Sequence, residues 1–535
     1  MALIAVDLTP MMPGGENGGV KILTLELLRA FQREAEGDRF LLLTASWNHD
    51  ELAPFEGPGM TRLMVMEKER TGAAMLDRLP GRAARLVRRL AAVLRRRTPR
   101  AMAPRRRLLS SRGVDLLFCP FTAPNYFEPG IATVAVIHDM QHKDYPQFFP
   151  QKEIDIRNVF MADVRAKASR IICISEHVRE SVVRHLQADP DRTHVVYNCI
   201  QTRLGADIPR EERDAAMADL GIHRWPYMFY PANFWPHKNH RMLLTAYGIY
   251  RHRHPSRAVD LVLTGALEAE ERLLKQAVDR MGIREQVHFL GFLPEATLDM
   301  VWQGAAFLVF PSLYEGFGIP VLEAMSLGKP VLCSNVTSLP EVAGDAALFF
   351  DPRKPEEMAA AMERVAGDAA LAETLSARGR DRADLFRAER MVAGYLNVFR
   401  EALGTPPAYD NAVSGVFEDG WTGEEVSVTF GAGPEEGRRI DITLAAPADI
   451  PGGRRRIAAV MGGRTLFKSR LARGETRVFS VPISGAPGEI ALWISPTFQP
   501  AECGMGPDNR RLGLQCRTCD LIAPGSEKIS LWKGA

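Results

Sequence analysis

The most constraining stretch of the 535-residue chain is 307–341, FLVFPSLYEGFGIPVLEAMSLGKPVLCSNVTSLPE. Phe307 to Phe310 is apolar throughout, with the length and composition of a buried strand. Pro311 and Ser312 end it, the loop Glu315-Gly316-Phe317-Gly318 follows, and Pro320 opens a helix at a position where a missing N–H costs little. Gly328 suits the helix C-terminus, and Pro330 blocks continuation into the next strand, Val331-Leu332-Cys333. The spacing predicts strand, glycine loop, helix, strand, with Glu315 in the loop and Glu323 in the first helical turn. Glycines admit close approach of a ligand, and a helix N-terminus favours anionic oxygens. That suits a nucleotide-sugar, with phosphates at the helix start and carboxylates for hydroxyls. Spacing alone fits equally a tight turn in a doubly wound sheet with Glu315 solvated.

EGFGIPVLEAM, which carries Glu315 and Glu323, resembles the signature of family 4 retaining glycosyltransferases, enzymes of the GT-B fold. Ser338-Leu339-Pro340-Glu341-Val342 and Gly344-Asp345-Ala346-Ala347 also resemble that family. The resemblance covers roughly 1–404 and implies an α/β architecture of two Rossmann-like domains. Further matches follow along the chain. The loop Gly14 to Gly19, including Gly18 and Gly19, resembles the glycine loop that faces the donor phosphates. Val136-Ile137-His138-Asp139 puts His138 at a strand's C-terminal end, as the family does, and Lys238 resembles its donor-phosphate lysine. The arginine common five residues earlier is Asn233 here, one fixed cation fewer. By this resemblance Glu315 and His138 would be the catalytic pair, with Glu315 on sugar-ring hydroxyls and His138 near the reacting face. Glu323 would hold the ribose, and Gly18, Gly19, Asn233, Lys238, Gly316, Phe317 and Gly318 would complete the donor site. Ser175-Glu176 and Tyr197-Asn198 also resemble family positions.

Read in order, 1–205 is expected to form the first Rossmann-like domain, from the strand Leu3–Asp7 and a helix over about Val20–Arg33. Strand-like runs recur at 40–44, 115–119, 133–137, 170–174 and 194–197. A basic insertion, about 70–112, interrupts it: thirteen arginines and no acid occur from Arg78 to Arg112. Leu86, Leu90, Val93 and Leu94 fall at helical spacing there, as in a helix that lies on an anionic membrane surface. A charged linker near 201–224 leads to the donor-binding domain, 206–404, which ends in an amphipathic helix; the resemblance to GT-B enzymes implies that this helix crosses back to the first domain. Beyond it, over 408–535, short runs between Gly, Pro and Asp turns predict an all-β accessory domain. Phe498-Gln499-Pro500 and Asp508-Asn509-Arg510-Arg511-Leu512-Gly513 resemble a segment of small β-domains on glycan-assembling enzymes.

A net charge of +2 leaves the whole-molecule field uninformative about partners, and nucleic acid is not expected among them. Cys119, Cys173, Cys199 and Cys333 read as core residues of a reducing compartment; Cys516-x-x-Cys519 is a weak zinc signal without a second pair. No secretion signal or apolar run of membrane-spanning length is recognisable, so a cytoplasmic place at the inner membrane face is expected. No Asp-x-Asp lies beside the donor loops, and no metal or other cofactor is expected. The expected partners are a nucleotide-sugar, with GDP-mannose favoured by PANFWPHKNH and HDMQHKDYP, and a glycan or lipid-linked acceptor. The expected activity is retaining, metal-independent hexosyl transfer. A nucleotide-sugar epimerase of similar fold, or a non-catalytic glycan-binding protein, would share parts of this pattern.

Overall fold

A computed structural model describes residues 1–13, 18–34, 37–67, 108–199, 204–206, 208–222, 226–256, 258–265, 268–405, 411–417, 419–434, 436–503, 505, 508, 510–524 and 528–533. Residues 14–17 of the first glycine loop and 78–107 of the arginine-rich insertion, with its apolar stripe, lie outside them.

The first unit runs β1 (Leu3–Asp7), α1 (Gly18–Glu34), β2 (Arg39–Ala45), β3 (Met60–Met66), β4 (Leu116–Cys119), β5 (Ala132–Ile137), α2 (Gln141–Asp144), α3 (Gln151–Lys167), β6 (Arg170–Cys173), α4 (Glu176–Leu186) and β7 (Thr193–Val195). Its seven strands form one parallel sheet in the order β3-β2-β1-β4-β5-β6-β7. Both faces are covered, so the central strands are apolar without alternation, and every residue of β5 is buried. The predicted Val20 start of α1 is two residues late: Gly18 and Gly19 already belong to its first turn.

The segment expected as a linker contains a helix, α5 (Arg210–Asp219), which anchors itself through the buried Met217. The second unit follows with β8 (Tyr227–Pro231), α6 (His240–Arg253), β9 (Asp260–Thr264), α7 (Glu268–Arg280), β10 (Val287–Phe289), α8 (Glu295–Gly304), β11 (Ala305–Phe310), α9 (Ile319–Ser326), β12 (Val331–Ser334), α10 (Leu339–Ala343), β13 (Ala347–Phe350), α11 (Pro355–Gly367), α12 (Ala369–Ala383) and α13 (Ala388–Gly404). Its strands are parallel in the order β10-β9-β8-β11-β12-β13. Strand order reverses direction between β1 and β4 in one sheet and between β8 and β11 in the other. Ligands of open α/β sheets bind beyond the strand ends at such points.

The last helix leaves its own unit. Tyr395 and Phe399 of α13 pack on Phe118 of β4, and Phe399 also meets Phe31 of α1 at 5.9 Å between ring centres. One continuous apolar cluster therefore runs through both α/β units.

Beyond it, β14 (Ala412–Val416), β15 (Thr422–Phe430), β16 (Arg439–Ala445), β17 (Arg455–Met461), β18 (Arg464–Leu471), β19 (Thr476–Pro482), β20 (Gly488–Ser495), β21 (Gln515–Ile522) and β22 (Ile529–Lys533) make two antiparallel sheets, β14-β15-β20-β17-β18 and β19-β16-β21-β22. They enclose a separate core of Val426, Ile442, Ile457, Leu492 and their neighbours. Cys516 and Cys519 are buried in that core on β21. This sandwich is fixed to the first unit at both ends of α3. Lys167 Nζ lies 3.2 Å from Glu489 of β20, and Arg510 lies 3.3 Å from Asp155. Arg510 also meets Asp419 and Asp508 and lies over the Phe417 ring, so this part of the resembling segment acts as a rivet. These ion pairs explain how α3 buries Asp155 and Lys167, each against a charged partner on the sandwich.

Candidate active site

The residues singled out from the sequence come from strand ends at or beside the two reversal points. Lys238 closes a 3-10 turn, Pro236–Lys238, after β8; Asn239 follows at φ 62 and donates from its amide to the Pro311 and Pro352 carbonyls. Glu315 lies in the loop after β11. Its carboxylate accepts from Lys238 Nζ at 2.6 Å, and both side chains are largely buried. The lysine also stands 5.6 Å from the Phe310 ring. The Glu315 loop is held from behind: Thr337 Oγ1 accepts from the Glu315 N–H, and Ser338 Oγ bonds the Glu315 and Phe317 carbonyls.

Each loop glycine has a separate reason. Gly318 caps α9 at φ 101, a conformation L side chains rarely adopt. At Gly316 a Cβ would lie 2.0 Å from the His138 carbonyl oxygen, so the two units meet backbone to backbone there. A Cβ on Gly19 would lie 3.2 Å from Ile319, which places the start of α1 against the start of α9.

His138 follows β5 directly. Its Nε2 is 2.7 Å from the Pro120 carbonyl, so Nε2 carries the proton and Nδ1 remains an acceptor. Burial lowers its pKa, opposed by that hydrogen bond and by Asp139, and the ring is neutral near pH 7. Burial, aided by Lys238, likewise lowers His237 to about 4 and His240 to about 3.

Two expectations need adjustment. Because α9 begins at Ile319, Glu323 stands one turn inside the helix rather than in its first turn, and it is only 3 % exposed. Phe317 turns its ring away into a cluster with Tyr197 and Phe386, so its backbone is what remains for a donor. Asn233 is exposed at the end of β8.

The seam between the units joins groups whose partners motif reading did not give. Ser175 caps α4 and donates to the Gly316 carbonyl at 2.7 Å. The Glu341 carboxylate accepts from the Glu176 and His177 N–H groups at 2.7 and 3.1 Å, so one unit's acid caps the other unit's helix. Met140 N–H donates to the Tyr314 hydroxyl, and Arg353 donates to the Tyr145 hydroxyl at 2.7 Å. Tyr314 is adjacent to Glu315 and Tyr145 lies in HDMQHKDYP, both usable sequence signals; Arg353 offered none. Among the described residues no three His, Cys, Asp or Glu side chains gather as a metal-ligand set. Nor does any described helix have the length and apolarity to cross a membrane.

Comparison with known proteins gives a consistent result. The family described as "Glycosyltransferase Family 4" matches residues 17–204, and "Glycosyl transferases group 1" matches 212–382. O-antigen chain mannosyltransferase B of Escherichia coli is 32% identical over 329 residues, covering 58% of this chain and 83% of that protein. D-inositol 3-phosphate glycosyltransferase of Rhodococcus opacus is 28% identical over 256 residues, 46% of this chain and 56% of the relative. Among solved structures, Anabaena HepE in complex with UDP and glucose superposes with a TM-score of 0.53 at 16% identity, over 75% of this chain and all of HepE (100%). WaaG, a glycosyltransferase of lipopolysaccharide biosynthesis, gives 0.51 at 17% identity, over 73% and 98%.

Proposed function

Because the chain belongs to the family 4 glycosyltransferases, with the GT-B fold, we propose that it moves mannose from a nucleoside diphosphate, GDP-mannose being favoured, to a hydroxyl of a glycan or lipid-linked acceptor, with retention and without a metal ion. The observation that carries this reading is the Lys238–Glu315 pair at the start of α9, directly across the seam from His138.

Breaking the anomeric C–O bond leaves negative charge on the diphosphate, and preorganised charge at the leaving group is the largest help such a site can give. Lys238 and the N-terminal N–H groups of α9 supply it, and the start of α1 adds more across the cleft. Glu315, already charge-paired with Lys238, is a poor nucleophile. It is better suited to orient the lysine and accept from sugar hydroxyls. His138, neutral with Nδ1 as acceptor, takes a hydrogen bond from the transferred sugar. Retention then follows from attack on the leaving-group face, with a diphosphate oxygen receiving the acceptor's proton. Glu323 serves the ribose hydroxyls. The similarity to O-antigen mannosyltransferases supports mannose and a growing glycan as the acceptor.

The test is incubation with a panel of nucleotide-sugars, reading slow donor hydrolysis, and then transfer with the anomeric configuration followed by NMR. GDP-mannose should be consumed, and activity should survive EDTA. Loss restored only by added Mg²⁺ or Mn²⁺ would refute the metal-independent reading. We place the enzyme at the cytoplasmic membrane face, with Arg78–Arg112 drawn to anionic lipid. Binding of the protein to anionic vesicles should fall steeply with salt, and an absence of binding at low salt would remove this role.

A further inference from the structure

Between Arg454 and Arg477 the chain carries eight Lys or Arg and one acid, Glu475, in a molecule of net charge +2. Strand register sorts these charges. Arg456 stands directly opposite Arg470 across the β17–β18 pair, and Lys468 opposite Ala458. On the other side of β17, Ala458 pairs with Trp493 and Arg456 with Ser495, and Trp493 in turn pairs with Glu425. Residues two apart on a strand share a face. Two rows therefore run side by side over the sheet, Glu425–Trp493–Ala458–Lys468 on four strands and Ser495–Arg456–Arg470 on three.

This is the outward face. Ile457, Ala459 and Leu492 alternate with it into the sandwich core, whereas Trp493 packs with neither apolar cluster and is partly exposed. Arg456, Lys468 and Arg470 are exposed, and among the described residues no carboxylate lies within ion-pair distance of them. Like charges directly opposite on a sheet are destabilising. Among the described residues no carboxylate offsets the Arg456–Arg470 repulsion, and an uncompensated local conflict of this kind is what a functional surface carries. An indole offers a large apolar face with an N–H at its edge. Ala458, between the indole and Lys468, is itself buried, so the indole and the cations are what the row presents.

We propose that this face docks an acidic glycan, sugars bearing carboxylate or phosphate groups, with Trp493 under a ring and Arg456, Lys468 and Arg470 on the anions. Charge complementarity selects a polyanion. The Gly462-Gly463 tip of the β17–β18 hairpin presents no bulky apolar side chain to enter lipid. The surface belongs to the β-unit and requires nothing of the donor site, so it can be tested independently of catalysis.

Full-length protein is titrated calorimetrically with oligogalacturonate, with neutral mannan, anionic vesicles and single-stranded DNA as comparisons. Oligogalacturonate should bind, and salt should weaken the binding steeply as the Debye length shrinks. Trp493→Ala should weaken it about ten-fold. The double variant Arg456→Glu/Arg470→Glu should abolish it, while melting temperature, vesicle binding and nucleotide-sugar hydrolysis stay as in wild type. Should Trp493→Ala fail to fold, the charge-reversed variant decides alone. Four results would overturn the proposal: no binding at low salt, equal affinity for mannan, undiminished binding by the charge-reversed variant, or loss of vesicle or DNA binding in that variant with oligogalacturonate binding intact.

Discussion

A single methyl group at Gly316 would meet the His138 carbonyl at 2.0 Å, and neither backbone can yield cheaply. Gly316→Ala should leave each unit folded but force the seam apart; a misplacement on the order of 1 Å can cost about 10²-fold in rate. Transfer assays beside circular dichroism would check this, and wild-type turnover would contradict it. The two acids should fail differently. Glu315→Ala frees Lys238 from its orienting partner and should lower kcat by about 10²–10³-fold, the range for losing one preorganised electrostatic group. Glu323→Ala removes a charged hydrogen-bonding group, worth about 1.5–3 kcal/mol, and should appear chiefly as weaker donor binding. Calorimetry with GDP separates the two, and equal small effects would refute the assigned roles.

At the scale of elements, α13 carries the clearest stability prediction. Phe399 touches Phe31, Phe118 and Tyr395, and truncating such a buried ring costs about 3–5 kcal/mol. Phe399→Ala should therefore lower the unfolding temperature of the first unit strongly, as calorimetry would show. This helix was legible in the sequence, as were the buried parallel strands, because an apolar stripe or run states its own burial. What stayed illegible depends on distant partners. The charged sequence of α5 hides a helix anchored by one methionine, Met217. The polar α3 makes sense only against Glu489 and Arg510 of the sandwich. Strands β18 and β21 were obscured by exposed cations and by a cysteine pair that suggested a metal. Lys238, Glu315 and His138 could be found by motif and strand-end position. The Tyr145–Arg353 contact joins residues 208 apart and exists only once the two units are placed together.

For the whole molecule, Arg510 joins carboxylates from two units. Its removal leaves Asp155, Asp419 and Asp508 close together, and losing one partner of a buried ion pair costs about 3–5 kcal/mol. Arg510→Ala should loosen the sandwich from α3, detected as faster proteolysis between α13 and β14; an unchanged digestion pattern would count against the rivet. Acid should weaken the molecule through its histidines. Burial, with Arg157 for His142 and Lys238 for His237 and His240, lowers the three to about 4, 4 and 3 from 6.5. The unfolded chain takes up these protons first. Their contribution is therefore complete above pH 6.5 and declines as pH falls from 6.5 towards 4. The melting temperature should drop between pH 7 and 5, and a flat profile would contradict this. The course of α13 also decides how such enzymes can be recombined. Chain order assigns this helix to the donor-side unit, but its apolar face fits the first. A chimaera that imports a foreign donor specificity should be cut before β8 and again at Arg387, keeping the native α13. A junction after Gly404 would set a stranger's helix against Phe31 and Phe118, and the soluble yields of the two grafts should differ accordingly.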